Sequence, residues 1–441
     1  MSEGWCQAAR MQTELLLDHE TILANQAQPV HFALRFTADA VAAKARQPAA
    51  FCVVLDRSGS MEGAPLTHAL TAARTAIKHL RKQDHFALVA FDDTAHVVLP
   101  LQAAQSKAGW PDRVKAIRSG GSTNLTAGWM LGRDELAKAP LGCARRLLLL
   151  TDGQLNVGIT DPVQVKGIVA AGLEQQGVRT SCLGFGDEYD ECLLGKLAKA
   201  ANGDFHDAGS PEQLPAIFTH ELDGLQALAV QNLRVRLKRL DFCERIFGLN
   251  DYPFVTLPDG RTEIAIGDLV SEEERVAVFA LEVLPLPLLN GQPVASLAGE
   301  TLLEVELAWD ELSASGIASK TWSQVVRVQA TQNPAEVKAN EEVLSWVAVQ
   351  RAAKAVKEAA NRATSGDEEA AKRRLAEEIA YLEAAGNSAA VSEALATLVD
   401  AQAQMESSAT VARKAKLMFS LSHDSQRQSS RRRPDKGSQK K

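Results

Sequence analysis

Two apolar runs with no polar interruption, residues 51–55 and 147–150, are each followed at once by oxygen-bearing side chains, Asp56 in one case and Thr151-Asp152 in the other. Short runs of this kind bounded by turn residues read as strands buried on both faces, as in a parallel sheet covered by helices. Around them the period alternates between two and 3.6. It predicts strand 50–55, helix 65–82, strand 86–91, a short edge strand 96–99, a helical stretch 112–118 and helix 125–139. Strand 146–150, helix 162–176, strand 178–183, helix 189–201 and a last short strand around Phe205 follow. Strands alternating with helices imply an α/β fold with a doubly wound, mostly parallel, Rossmann-like sheet.

Different periods flank that region. Val30, Phe32, Leu34 and Phe36 alternate with His31, Ala33, Arg35 and Thr37, as do Leu233, Val235 and Leu237 with Arg234, Arg236 and Lys238, which is the pattern of half-buried strands. Further strands are expected at 263–266, 275–283, 302–308 and 323–329, with turns at Pro258-Asp259-Gly260 and Asn290-Gly291. One β-sandwich accounts for them economically, its first strands from residues 12–45 and the rest from 226–332, with the α/β domain 46–225 inserted. A C-terminal sandwich with a separate N-terminal hairpin is the alternative, and an isolated hairpin is marginal in water.

From residue 333 the composition turns to Ala, Glu, Lys and Arg. Pro334 suits a first helical turn, and Trp346, Val349, Ala353, Val356 and Ala360 mark one buried stripe. Ser365-Gly366-Asp367 breaks that helix, a second carries Leu375, Ile379 and Leu382, Gly386-Asn387-Ser388 ends it, and a third carries Val391, Leu395 and Leu398. Residues 333–420 therefore read as a helical hairpin or bundle, packed on the sandwich or serving as a docking arm. Residues 421–441 have no apolar period and read as a disordered basic tail.

Composition narrows the class. The chain has 441 residues, 46% hydrophobic content and a net charge of −7, enough core for two or three domains. No window reaches about 18 apolar residues, so no membrane helix is expected. Residues 1–10 carry an acid and no apolar segment of a secretory signal. Cys6, Cys52, Cys143, Cys182, Cys192 and Cys243 show no paired metal spacing, and Cys52 and Cys182 fall in expected buried strands. These features point to a reducing cytoplasm. Arg431-Arg432-Arg433 and Lys440-Lys441 lack interleaved aromatics, which disfavours nucleic acid as a partner.

The candidate chemistry lies in three separated stretches: Asp56-Arg57-Ser58-Gly59-Ser60, Gly121-Ser122-Thr123 and Thr151-Asp152-Gly153. Alone, each reads as an Asx or Ser turn, a helix N-cap or a strand-ending turn. At the carboxyl ends of parallel strands, where open α/β sheets bind ligands, they supply hydroxyls and carboxylates without His or Cys. Such a set suits a hard cation that keeps some of its waters, Mg2+ first.

In this order and spacing the three stretches resemble the metal-ion-dependent adhesion site of the von Willebrand factor type A domain. Gly184-Phe185-Gly186, Asp187-Glu188-Tyr189-Asp190, Leu193-Leu194 and Pro211-Glu212-Gln213-Leu214 also look like the second half of bacterial domains of this type. The resemblance implies that Asp56, Ser58, Ser60, Thr123 and Asp152 surround the metal, with Ser122 the weaker alternative to Thr123. It also implies Mg2+, or Mn2+, completed by an acidic residue of a partner protein, in a multi-domain cytoplasmic adaptor, sometimes beside AAA+ ATPases. Nearby, Asp92 and Asp93 read as the turn to the edge strand, Glu62 as a helix entry, and Arg57 as solvent-facing or holding a partner carboxylate.

No Gly-x4-Gly-Lys-Ser/Thr phosphate loop, His-Glu-x-x-His or Gly-x-Ser-x-Gly elbow is present. His68, the histidine nearest in sequence to Ser58 and Ser60, falls on the following helix. A protein-binding module, not an enzyme, is the expectation. The alternatives are a Mg2+-dependent hydrolase or phosphotransferase in the same crevice, and a protein whose metal only stiffens loops.

Overall fold

The computed structural model describes residues 6–8, 11–41, 46–152, 155–186, 189–286, 288–289, 292–293, 300–313, 316–384, 389–407, 414–419 and 421–422. They form two compact units, one drawn from residues 1–39, 230–311 and 319–430 and the other built on residues 40–229. The first unit opens with β1 (Cys6–Ala8), β2 (Met11–Leu17), β3 (Thr21–Leu23) and β4 (Gln28–Ala38).

The second unit then runs β5 (Ala49–Asp56), α1 (Ala64–His79), β6 (His85–Phe91), β7 (Ala95–Ala103), α2 (Trp110–Lys115) and α3 (Leu125–Ala137). It continues with β8 (Ala144–Thr151), α4 (Pro162–Gln176), β9 (Arg179–Phe185), α5 (Glu191–Ala200), β10 (Asn202–Ala208) and α6 (Leu214–Gln226). The sheet order is β10-β9-β8-β5-β6-β7, parallel throughout except for the antiparallel edge pair β6/β7. The alternating α/β reading thus holds. The edge strand is longer than its apolar pattern suggested, because β7 keeps its ladder with β6 as far as Ala103.

The chain winds outward from β5 to β6 and β7, then returns to β8 on the other side of β5 and winds outward to β10. Strand order therefore reverses between β5 and β8, and the crevice at such a reversal is where open sheets receive ligands. All eight residues of β5 are buried, its side chains alternating between two cores. Phe51, Val53 and Leu55 pack with α1, α2 and α6, while Ala50, Cys52 and Val54 pack with α3, α4 and α5. The helix α3 lies flush on the sheet: a Cβ at Gly128 would meet Phe91 at 2.6 Å and one at Gly132 would meet Val54 at 2.4 Å.

A buried ionic network ties α6 to β8, β9 and β10. The Arg146 Nη1 group donates to Glu221 Oε2 at 3.0 Å and to Ser181 Oγ at 3.1 Å, with Asp204 Oδ2 at 3.9 Å. Ser181 Oγ donates to Glu221 Oε2 at 2.8 Å, and His206 Nε2 lies 2.6 Å from Glu221 Oε1. Glu221 is the hub. Neither periodicity nor motif pointed to this network, since its members lie on four separate elements.

The first unit resumes with β11 (Leu228–Arg239), β12 (Cys243–Gly248), β13 (Phe254–Thr256), β14 (Thr262–Val270), β15 (Glu274–Val283), β16 (Leu288–Leu289), β17 (Gln292–Pro293), β18 (Glu300–Ser313) and β19 (Gly316–Thr331). Its two larger sheets have the orders β1-β2-β4-β15-β12 and β13-β14-β11-β18-β19-β3. The N-terminal strands are therefore not a separate hairpin: β4 pairs antiparallel with β15 from Gln28↔Val283 to Thr37↔Glu274. Phe32 stacks on Phe279 at 4.7 Å between ring centroids.

Helices α7 (Glu341–Thr364), α8 (Glu368–Ala384) and α9 (Ala389–Glu406) follow in this unit. They share an alanine-rich core that includes Val356, Ala360, Leu375, Leu382, Val391 and Leu398. The first helix starts later than expected. Pro334 leads a single 3-10 turn, and Asn340 caps α7 by accepting from the Glu342 and Val343 amides. The expected stripe also shifts, for Trp346 is only half-buried beside the Arg35 guanidinium while Val343 and Val347 pack on Ala33, Val276 and Val278. The expected break at residues 365–367 is present, with Gly366 at φ 87°. At the start of the expected tail, Ser422 Oγ donates to the Ala353 carbonyl at 2.8 Å. Gly153, Asp187-Glu188, Asn290-Gly291, Gly386-Asn387-Ser388 and residues 423–441 lie outside the described residues. Among the described residues no helix is long and apolar enough to cross a membrane.

Removing the hub carboxylate leaves a buried guanidinium without its nearest partner. Glu221→Ala is therefore expected to lower unfolding stability by about 3 kcal/mol, measured by urea denaturation. A loss below about 0.5 kcal/mol, typical of a surface substitution, would show that Arg146 does not depend on it.

Candidate functional site

At the carboxyl end of the reversal point β5 and β8 run side by side, with Leu55 opposite Leu150, so the next residues, Asp56 and Thr151, face each other across the crevice. Thr151 Oγ1 donates to Asp56 Oδ2 at 2.5 Å. Beyond β5 the chain turns sharply because Asp56 Oδ1 accepts from its own loop, the Ser58 amide at 2.8 Å. This turn brings Ser58 Oγ to 3.1 Å from Ser60 Oγ, and Ser60 Oγ donates to Asp152 Oδ1 at 2.8 Å. Asp56, Ser58, Ser60 and Asp152 thus form one continuous hydrogen-bonded chain, although 92 residues separate Ser60 from Asp152.

Thr123 arrives on a second loop. That loop is tied to the first by two backbone bonds, Gly59 amide to Gly121 carbonyl at 2.8 Å and Gly120 amide to Arg57 carbonyl at 2.7 Å. The Thr123 amide donates to Asn156 Oδ1 at 2.8 Å, and Asn124 caps α3 by accepting from the Ala127 amide. The side chain of Thr123 is buried, whereas Ser122 is half-buried and its amide donates to Asp93 Oδ1 at 2.9 Å. Of the five expected residues, four are joined by direct hydrogen bonds and the fifth sits on a loop bonded to theirs.

Electrostatics single out Asp56. Burial pushes its carboxyl up to about 6, and the Asp152 carboxylate adds to the rise, while Ser58 and Thr151 hold it down by hydrogen bonding. Two carboxylates with hydroxyls and amides around them leave negative charge that a cation would offset. The donors are all oxygen, which matches a hard divalent ion and neither zinc nor copper.

Among the remaining neighbours, Glu62 is exposed and His68 is half-buried on α1. Arg57 pairs with Asp92 at 2.6 Å. Thr151 and Asn156 contribute contacts that the sequence reading passed over. For Thr151 the signal was there, since a hydroxyl directly opposite a buried strand-end carboxylate follows from the register; for Asn156, inside a loop, there was none. The described residues hold one grouping of three His, Cys, Asp or Glu side chains close enough for a metal, Asp204, His206 and Glu221. Arg146 already occupies the charge of that grouping, so it serves as the structural joint.

The same chain matches the family model of the von Willebrand factor type A domain over residues 52–220. It is 28% identical over 323 residues to the uncharacterized protein sll0103 of Synechocystis, covering 69% of this chain and 74% of that one. In fold it is similar to a von Willebrand factor type A protein from Catenulispora acidiphila, with a TM-score of 0.72, 17% identity and coverage of 95% and 98% of the two chains. The ArnB paralog VWA2 from Sulfolobus acidocaldarius is also similar, with a TM-score of 0.65, 15% identity and the same coverage. Sheet order, helix placement and family model agree: residues 52–220 form a von Willebrand factor type A domain.

Proposed function

We propose that this protein is a metal-dependent protein-interaction module. In this reading Asp56, Ser58, Ser60, Thr123 and Asp152 hold Mg2+, or Mn2+ in its place, and an acidic residue of a partner protein completes the coordination. The observation that carries it is the continuous array from Thr151 through Asp56, Ser58 and Ser60 to Asp152, built at the sheet's reversal point from two loops far apart in sequence. Neutral hydroxyls supply part of that array, so a bound dication would keep positive charge for an incoming carboxylate. The Ser58 and Ser60 hydroxyls engage each other and Asp152, an arrangement suited to binding an ion and lacking a histidine base for nucleophilic chemistry.

The remaining parts are scaffold in the same proposal. The two larger sheets of the first unit act as one discontinuous β-sandwich, and α7 packs on its β4/β15 face through Val343 and Val347. Cys52 and Cys182 are buried and unpaired, with their thiols raised by burial, which supports a reducing compartment such as the cytoplasm. An adaptor role follows from a module that binds without turning over its ligand.

Two outcomes are expected. Mg2+ should raise the melting temperature of wild type and leave Asp56→Asn unchanged. The same variant should stabilise the metal-free protein at pH 7 by about 3 kcal/mol, because it removes a buried charge whose ionisation folding disfavours. Equal metal responses in the two proteins, by differential scanning calorimetry with and without EDTA, would contradict the ligand assignment. In affinity capture from native cytosol, a partner should be retained by wild type in Mg2+ and lost both in EDTA and with Ser58→Ala. Identical captured sets in all three samples would remove the metal bridge from the mechanism.

A further inference from the structure

We infer that Asp92 and Asp93, directly after β6, are positioning residues that hold the two metal loops in register, and that the paired glycines 120 and 121 exist to admit them. The inference rests on the metal-binding reading of the neighbouring site. A simple turn from β6 to β7 needs only the Asp92 amide bond to the Thr94 carbonyl and the Thr94 amide bond to Asp92 Oδ1, at 2.9 and 3.0 Å. The structure shows far more. Asp92 Oδ2 pairs with the Arg57 guanidinium of the first loop at 2.6 Å. The Asp92 carbonyl accepts from the Asn124 amide at 2.8 Å.

Asp93 repeats the arrangement one residue on. Its Oδ1 accepts from the Ser122 amide at 2.9 Å and its carbonyl from Asn124 Nδ2 at 3.2 Å. Ser122 and Asn124 are thus both fixed, and Thr123 lies between them. All four acceptor groups of the aspartate pair, two carboxylates and two carbonyls, receive hydrogen bonds from the metal loops or from the cap of α3.

Sterics give an independent indication. A Cβ on residue 120 would fall 2.1 Å from Asp92 Oδ2, and one on residue 121 would fall 2.0 Å from Asp93 Oδ2. No side chain larger than hydrogen leaves the carboxylates where they are. The Gly120-Gly121 pair preceding Ser122-Thr123 is therefore matched to the Asp92-Asp93 pair across the crevice. Groups that orient metal ligands without touching the ion commonly govern affinity as strongly as some ligands do.

The test is isothermal titration of full-length protein with Mg2+, alongside melting in EDTA. Asp92→Ala and Asp93→Ala should each weaken Mg2+ binding by ~10-fold or more, with the metal-free melting temperature lowered by no more than roughly 5 °C. Asp93→Asn keeps an acceptor for the Ser122 amide and should bind Mg2+ as wild type does. Gly121→Ala retains both aspartates but displaces the Asp93 carboxylate, and should weaken binding like the alanine variants; it keeps the test readable if either of those fails to fold. An unaltered Kd in Asp92→Ala, Asp93→Ala and Gly121→Ala, whatever their melting temperatures, would overturn the positioning role alone. Wild type that takes up neither Mg2+ nor Mn2+ overturns the metal reading and this inference with it.

Discussion

A carboxylate buried at the end of a fully buried strand, with hydroxyls and amides as its hydrogen-bond partners, is the constraint on which the α/β unit depends. Ionised Asp56 is disfavoured by burial, as its elevated pKa of about 6 records. Such a group persists because the surrounding structure fixes it: β5 and β8 are held in register by neighbouring buried strands, and α3 can approach them closely because Gly128 and Gly132 carry no side chain. The stable part of the unit therefore creates a locally unfavourable charge at one defined point. In the proposed reading a bound cation would relieve that charge, and metal uptake would be coupled to stability.

Much of this was legible in the sequence. The uninterrupted runs before Asp56 and Thr151-Asp152 identified two buried parallel strands, because a sheet covered on both faces accommodates such runs. Loop residues with oxygen side chains directly after them then pointed to the carboxyl edge of the sheet, and the strand order places them at its reversal point. What stayed hidden is long-range and ionic. Arg146, Ser181, Asp204, His206 and Glu221 come from four elements, and no period relates them. The second role of Asp92 and Asp93 was hidden for a related reason: a turn explains two acidic residues after a strand, and only the opposing Gly120 and Gly121 show that a second loop docks on them. The helical region shows a local limit. Pro334 is as compatible with a 3-10 turn as with a first α-turn, and the Asn340 cap decided where α7 begins.

The first unit adds a different lesson about alternation. Val30, Phe32, Leu34 and Phe36 gave the inward face of β4, while Ala33 on the other face reads as a neutral residue on an exposed surface. Its burial under Val343 and Val347 shows that a small side chain can mark a second packed layer, here a helix more than 300 residues later that also lets Arg35 reach Glu342. Pairing of β4 with β15 along ten residues then makes the chain's N-terminal strands part of a sheet whose other members follow the inserted α/β region.

The most direct measurement is anomalous diffraction from crystals soaked in Mn2+, which locates the ion without reference to activity or partner. The account predicts a single strong peak within coordination distance, about 2.2 Å, of the Ser58 and Ser60 hydroxyls, with Thr123 and the two aspartates around it. A peak at Asp204, His206 and Glu221 instead, or none beside Ser58 and Ser60, would contradict it.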